Sequence, residues 1–412
     1  MELLKLKVDR AVYGGKYICN HEGGVIFIEG NTMPGEIIEA RVEARKKDYT
    51  VASVNKILQP SAKRVEPSCK FYGTCGGCQI QHFRYTDQLL LKESVLKDCL
   101  KRIAKLDPLF LPVFKSDTPL HYRHKGQFKV SGKKAGFFKF NTHEIVDIDA
   151  CPLMTDKINT FFAEIKTAVS DMNITDIHLT SGRDTGAFIK APDISGRTPE
   201  MNKLAAKLME IGLSGVTIET ARRQYTTYGA AFVTHDLNGM QYTTSARGFL
   251  QSNWDLNCRT ARLIKHTFGA EHKRRILDLY AGAGNFSFML SGKHEITAVE
   301  KSALAVKDGQ RNVKLNKIEN FSFIKKDAER FIPETSYDTV ILDPSRQGLS
   351  KKAMATVLAL KPASMVYVSC NPSTFARDLK ILSETHKIEY VRLIDFFPQT
   401  FHIESIAFLS LK

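Results

Sequence analysis

No stretch of the chain approaches the roughly 18 consecutive apolar residues that a membrane-spanning helix requires, so no membrane partner is expected. The opening residues, Met1-Glu2-Leu3-Leu4-Lys5-Leu6-Lys7-Val8, lack the long apolar core and cleavage site of a signal peptide. A cytoplasmic protein is therefore expected. There is no low-complexity tract and no repeat of fixed period, which excludes a solenoid or an array. Acidic residues are in short supply: 44 Asp and Glu stand against 59 Lys and Arg, a net charge of +15. The resulting pI of about 9.3 suits a polyanion partner, although a generally basic protein shows the same balance. What is present is ordinary for a globular protein, with 43% hydrophobic and 25% charged residues. At 412 residues the chain has room for two or three domains, each with its own core.

The distribution of charge is more specific than its sum. Between His121 and Phe140 lie Arg123, Lys125, Lys129, Lys133, Lys134 and Lys139, with no Asp or Glu. Tyr122, Phe128, Phe137, Phe138 and Phe140 are interleaved among them. Cations can hold a nucleic-acid backbone while aromatic faces stack on unpaired bases, so this segment is expected to touch RNA. A strand pair turning at Ser131-Gly132, with a solvated basic face, is the plainer reading.

Short apolar runs punctuated by glycine fill residues 1 to 58, among them Val25–Ile28, Glu36–Val42 and Thr50–Val54, and predict a small β-barrel. Pro60 to Pro67 reads as a linker. Leu89, Leu90, Val95, Leu96 and Leu100 mark an amphipathic helix from Thr86 to about Ile103. A mixed region then runs to about residue 240. The last third alternates strand and helix patterns, which predicts an α/β fold with a parallel sheet. Its strands are Arg275–Tyr280, Glu295–Glu300, Phe321–Ile324, Thr339–Leu342 and Met365–Cys370, followed by two strands flanking Pro398.

Chemistry-bearing residues collect at the ends of those strands. The turn Ala281-Gly282-Ala283-Gly284-Asn285 permits close backbone approach to a ligand. Glu300, twenty residues after Tyr280, is placed to accept hydrogen bonds from ribose hydroxyls. Ser287 stands where the third glycine of a dinucleotide fingerprint would be. Asp327 and Asp343 end two further strands, and such a row of acids suits a nucleoside with a cationic end, as in S-adenosylmethionine. Helix capping is the plainer reading of each acid. Cys370 closes a buried strand and is followed by Asn371-Pro372, a turn at the carboxyl edge of the sheet. In isolation a cysteine there is a small buried hydrophobe. Glu404, however, interrupts an apolar final strand where an unpaired carboxylate is costly. A thiolate that adds to C6 of uracil, a carboxylate that removes the C5 proton and a methyl donor together suffice to methylate C5.

The remaining cysteines form a second group. Cys69, Cys75 and Cys78 fall within ten residues, with glycines that let the loop wrap, and Cys151-Pro152 is the best fourth ligand. Four cysteines can close an iron-sulfur cubane. Zinc is the alternative, although four-cysteine zinc sites usually show two close pairs. Cys19, Cys99 and Cys258 have no such company and read as structural.

Taken together, the motifs closely resemble those of the RNA 5-methyluridine methyltransferases, and specifically their iron-sulfur branch. They are Cys69-x5-Cys75-Gly-Gly-Cys78 with Cys151, Phe249-Leu-Gln251-Ser-Asn253, Asp278-Leu-Tyr280-Ala-Gly282-Ala-Gly284-Asn285-Phe286, Asp343-Pro-Ser-Arg346-x-Gly348, Ser369-Cys370-Asn371-Pro372 and Pro398-Gln-Thr-x-His402-x-Glu404. The resemblance implies a TRAM or OB-like barrel over residues 1–58 and a central mixed α+β domain over 59–240 that carries the cluster and an RNA-binding surface. It implies a Rossmann-like class I methyltransferase domain over 241–412. Cys370 would be the nucleophile and Glu404 the base. Gln251, Tyr280, Gly282, Asn285, Glu300, Asp327 and Asp343 would line the S-adenosylmethionine pocket. Cys69, Cys75, Cys78 and Cys151 would hold a [4Fe-4S] cluster. Asp327 departs from members that carry Asn there. The implied reaction is C5 methylation of one uridine in structured 23S rRNA by a monomeric enzyme, with tRNA as the alternative substrate. Two other readings are a radical S-adenosylmethionine enzyme, disfavoured by the x5 spacing and the fourth cysteine, and a non-catalytic RNA-binding scaffold, which leaves Cys370 and Glu404 unexplained.

Overall fold

The computed structural model describes residues 2–193, 198–230, 232–268 and 272–412, apart from the side chain of Arg222. Among the described residues no helix is long and apolar enough to cross a membrane.

Residues 3–59 form one six-stranded sheet in the order Leu3–Lys7, Ile37–Arg45, Thr50–Gln59, Gly24–Glu29, Lys16–His21, Arg10–Val12. It encloses its own apolar cluster around Cys19, Ile28, Ile38 and Ala52. Buried Glu36 ties it to the following linker. The carboxylate accepts from Arg64 at 2.7 Å, Thr32 at 3.0 Å and the amide of Ser61 at 3.1 Å, which holds it below the usual carboxylate range despite burial.

A seven-stranded sheet occupies the middle of the chain, in the order Tyr225–Gly229, Gly215–Glu219, Thr185–Lys190, Asp176–Ser181, Lys125–Ser131, Lys134–Phe138, Ile145–Asp147. Helices Asp156–Ala168 and Pro199–Glu210 start at the capping hydroxyls of Thr155 and Thr198 and bury Ile158, Phe162, Leu204 and Leu208 against it.

The C-terminal sheet also has seven strands, ordered Phe321–Lys325, Glu295–Glu300, Arg275–Leu279, Thr339–Leu342, Ser364–Ser369, Glu404–Leu411, His386–Ile394. The first five run parallel, and Glu404–Leu411 inserts antiparallel between the last two. Alternate residues of each parallel strand feed two cores. Leu277, Val340 and Tyr367 lie on one face, and Ile276, Ile341 and Val366 on the other. Both faces are covered, which explains why these strands read as continuous apolar runs.

Two elements pack on this sheet from earlier in the chain. Helix Tyr85–Cys99, continued by a wider turn through Ala104, contributes Val95, Leu96 and Leu100 to one core. The hairpin Phe232–Leu237 and Met240–Ser245 contributes Leu237 and Tyr242 to the other. It is stitched to helix Ala303–Leu315 by Asn312, which accepts from the Thr243 amide at 2.8 Å, and Asp308, which accepts from the Ser245 amide at 2.8 Å. The parallel strand order reverses between Arg275–Leu279 and Thr339–Leu342. In open α/β sheets the crevice outside that reversal is where ligands bind.

Candidate active site

Three strand ends bring the acids and the thiol together. Asp343 follows Thr339–Leu342, and Cys370 follows the adjacent parallel strand Ser364–Ser369. Ser369 pairs with Ser405 in the antiparallel ladder, so the next position in register sets Cys370 beside Glu404. The Ser405 hydroxyl donates to the Ser369 carbonyl at 3.3 Å and locks that register. Burial pushes the Cys370 thiol up to about 12, and the neighbouring Glu404 and Asp343 add to the rise. Arg346 opposes it. Glu404 is held well above its usual range by burial and by Asp343, and Asp343 itself rises to about 8 through burial and Asp278. Burial and neighbouring acids thus disfavour negative charge on Cys370, Asp343 and Glu404 in the resting site.

The turn after Cys370 favours thiolate formation when a substrate arrives. Asn371 caps helix Pro372–Leu382, its side-chain oxygen accepting from the Ser373 amide at 3.0 Å, and Pro372 occupies the first helical position. The positive end of that helix begins two residues after Cys370. The Arg346 carbonyl accepts from Asn371 at 2.9 Å and from the Thr374 hydroxyl at 3.2 Å, which fastens the Asp343 loop to the turn after Cys370.

The glycine turn builds the neighbouring pocket. Tyr280 has φ +63°, Gly282 +57° and Gly284 +84°, so the chain reverses sharply after Leu279. A Cβ on Gly284 would meet the Phe321 ring at 3.0 Å, whereas one on Gly282 would face open space into which a ligand can come. Glu300 accepts from the Gly282 amide at 3.0 Å and the Ser302 amide at 2.7 Å, which aims it along the turn. Asn285 exchanges two 2.8 Å hydrogen bonds with Asn257, fixing the turn to helix Trp254–Phe268. Gln251 is buried just before that helix, and Asp327 caps a short helical turn, accepting from the Glu329 amide at 3.1 Å. Asp278 beneath the turn accepts from Ser287 at 2.5 Å, and burial raises it to about 7. Asp278, Glu300, Asp343 and Glu404 thus form a row of carboxyls along the sheet edge, Asp278 and Glu404 buried and Asp343 partly so, an arrangement that favours a cationic ligand.

Cys69, Cys75, Cys78 and Cys151 line one cavity of about 80 Å³, walled otherwise by Tyr72, Gln81, Arg123, Phe137 and the Pro152–Met154 segment. All four are free thiols. Among the described residues no three His, Cys, Asp or Glu side chains converge closely enough to hold a single metal ion; the thiols ring a space instead. The Gly77 amide donates to Cys75 Sγ at 3.4 Å, and burial pushes the Cys78 thiol up to about 12. This loop also touches the catalytic segment. The Gln79 and Ile80 amides donate to the Gln399 carbonyl at 3.1 and 3.2 Å, and Tyr122 donates to the Pro398 carbonyl at 3.0 Å.

Residues 84–335 and 332–412 match the sequence family of tRNA (uracil-5-)-methyltransferases. The chain belongs to that family. An RNA methyltransferase of this class joins a methyl group from S-adenosylmethionine to C5 of a uracil in RNA. An uncharacterized RNA methyltransferase of Aquifex aeolicus is 34% identical over 99% of both chains, and one of Listeria innocua is 30% identical over 99% of this chain and 98% of its own. The crystal structure of the Pyrococcus abyssi tRNA (uracil-54, C5)-methyltransferase with S-adenosyl-L-homocysteine superposes with a TM-score of 0.77 at 23% identity. It covers 98% of this chain and all of its own.

The basic aromatic segment of this methyltransferase folds as the strand pair turning at Ser131-Gly132, with many of its side chains engaged within the protein. Tyr122 and Phe128 are buried, and Phe128 stacks on Phe162 with centroids 3.9 Å apart. Lys125 is buried with its ammonium on the Gly248 carbonyl, Lys129 pairs with Asp176, and Lys139 pairs with Glu144 at 2.6 Å. Arg123 faces the cysteine cavity. The strand Lys125–Ser131 is internal to its sheet, so one face must be core. Lys133, Lys134 and Phe140 remain exposed. Sequence reasoning gave no role to Arg346, Asn257, Asp278 or Tyr13. Arg346 and Asp278 lay inside recognised motifs; Asn257 and Tyr13 carried no local signal.

Proposed function

We propose that this enzyme methylates C5 of one uridine in 23S rRNA, in the cytoplasm and as a monomer, through covalent addition of Cys370. The observation that carries the reading is the meeting of Cys370, Asp343 and Glu404 at three adjacent strand ends beside the glycine turn. In the proposed sequence the Cys370 proton passes to solvent and the thiolate adds to C6, so electron density builds at C5, with Glu404 as the carboxylate. That carbon takes the methyl group which the donor supplies. Glu404 then removes the C5 proton, and the sulfur leaves as the double bond re-forms. The base has to be unstacked for this, since C6 is unreachable inside a helix. Gln251, Tyr280, Gly282, Asn285, Glu300, Asp327 and Asp343 hold the donor in this reading. The four cysteines fit a [4Fe-4S] cluster, because four free thiols line one small cavity with an amide donor to Cys75 and the Arg123 cation in its wall. The cluster serves structure and RNA placement. The six-stranded N-terminal sheet is taken as a TRAM-like RNA-binding barrel.

RNA carrying 5-fluorouridine tests the chemistry, because fluorine cannot be removed as a proton and the adduct persists. A covalent complex is expected with the wild type and none with Cys370→Ala; methylation undiminished in Cys370→Ala sinks the nucleophile assignment. The Pyrococcus abyssi enzyme of like fold acts on tRNA, and this favours tRNA as the second reading. Mapping 5-methyluridine in rRNA and tRNA of cells lacking the gene decides between them.

A further inference from the structure

The N-terminal sheet reaches the catalytic centre through one turn. Strands Arg10–Val12 and Lys16–His21 are joined by Tyr13-Gly14-Gly15, with φ +93° at Gly14 and +76° at Gly15. The turn lies on the segment that leads to Glu404. A Cβ on Gly15 would stand 2.6 Å from the Phe401 ring, so only glycine allows this approach. Phe401 packs in turn against His402 with tilted rings, centroids 4.9 Å apart, and His402 lies 3.4 Å from Arg346. Ala11 and Tyr13 pack against the apolar cluster that contains Cys99, Phe375 and Ile403. Arg10 anchors the strand to the helix Tyr85–Cys99 through Asp98 at 3.2 Å. The Tyr13 phenol is half-buried, and burial raises it above its ordinary range. The titratable groups around it are Arg346, Cys370, Cys99 and Glu404, with Asp98 facing the neighbouring Arg10.

We propose that Tyr13 is a positioning residue of the uracil pocket: its ring walls the space beside Cys370 and Glu404, holds the unstacked base against the nucleophile and keeps water out. The inference rests on the uracil-C5 reading given above. On this view the N-terminal sheet acts in the methyl-transfer step as well as in RNA capture. The ring is expected to matter more than the hydroxyl, because no hydrogen bond is required of it.

The test uses full-length protein and 5-fluorouridine RNA, with adduct formation followed in single turnover at saturating RNA and donor. Tyr13→Ala is expected to slow adduct formation by roughly ten- to a hundredfold, as loss of orientation does, while RNA affinity stays within about threefold and the melting temperature is kept. Tyr13→Phe is expected to restore the rate. Gly15→Val, which drives the turn off Phe401, is expected to reproduce the slow phenotype. An unchanged rate in Tyr13→Ala, or a fall matched by an equal loss of RNA affinity, overturns the proposal. The wild-type adduct and its loss in Cys370→Ala report on the reaction itself, whereas Tyr13→Ala against wild type reports on the turn, so the two fail separately.

Discussion

Arg346 is the cation that faces both Cys370 and Glu404, and its effect on each has a definite sign. It lowers the thiol and the carboxyl against a larger rise from burial. Arg346→Ala should therefore raise the thiol further and move the acidic limb of the rate–pH profile to higher pH. At pH near 7 the rate should fall by about ten- to a hundredfold, since the thiolate fraction drops in proportion as the thiol becomes a weaker acid. A profile that keeps its position contradicts this. The carboxyl row makes a second prediction at this scale. Asp278 at about 7 and Asp343 at about 8 are raised, so they are neutral below those values and charge as pH rises through them. Affinity for the cationic donor should climb between about pH 6 and 9, while that for neutral S-adenosylhomocysteine stays nearly flat. Calorimetric titration of both ligands over this range checks it, and equal slopes refute it. The same raised values mean that the unliganded protein loses stability as pH rises from about 4, the unfolded value, to about 8.

Among the elements, helix Tyr85–Cys99 is coupled to the end of the final hairpin by a buried ion pair. Lys92 donates to Asp395 at 2.6 Å and to the Phe397 carbonyl at 2.8 Å, and both charged side chains are fully buried. Gln88 adds a 2.8 Å hydrogen bond to Gln399 and accepts from its amide at 2.9 Å. These contacts hold the backbone of Phe397–Gln399, five to seven residues before Glu404. Lys92→Met leaves the buried Asp395 carboxyl without its cation and should cost about 3–5 kcal/mol, read as a lower denaturant midpoint. The double change Lys92→Met with Asp395→Leu should recover most of that loss, because replacing a buried pair with apolar groups is close to neutral. Equal destabilisation in the two variants would show that packing, not charge, carries the effect.

Across the whole molecule, the cysteine loop and the catalytic segment share a backbone junction. Gln79 and Ile80 directly follow Cys78, and both amides end on Gln399. Loss of a thiol donor should therefore be felt at the base as well as at the cavity. Cys78→Ser is expected to speed amide hydrogen exchange at Gln79 and Ile80 and to slow methyl transfer, with donor affinity within about twofold. Protection of both amides at the wild-type level, with an impaired reaction, would separate the two sites.

Much of the catalytic sheet is legible in the chain because its signals are local. Glu295–Glu300 and Thr339–Leu342 occupy the predicted positions, since doubly covered parallel strands are apolar throughout and end at a residue that breaks the strand. Asn371-Pro372 announces both the end of one strand and the start of the next helix for the same reason. The basic aromatic segment shows the limit of that logic. Composition alone does not reveal that Lys125–Ser131 is an internal strand, where Phe128 is core and Lys125 binds a carbonyl. Strand periods, turn chemistry and the spacing of cysteines follow from backbone sterics within a few residues, so the sequence by itself determined them. Which charges meet was decided by tertiary structure: an antiparallel final strand sets Glu404 beside Cys370, and a glycine turn nearly 400 residues earlier lies on Phe401. Those neighbours depend on burial between segments far apart in the chain, a quantity no local pattern encodes.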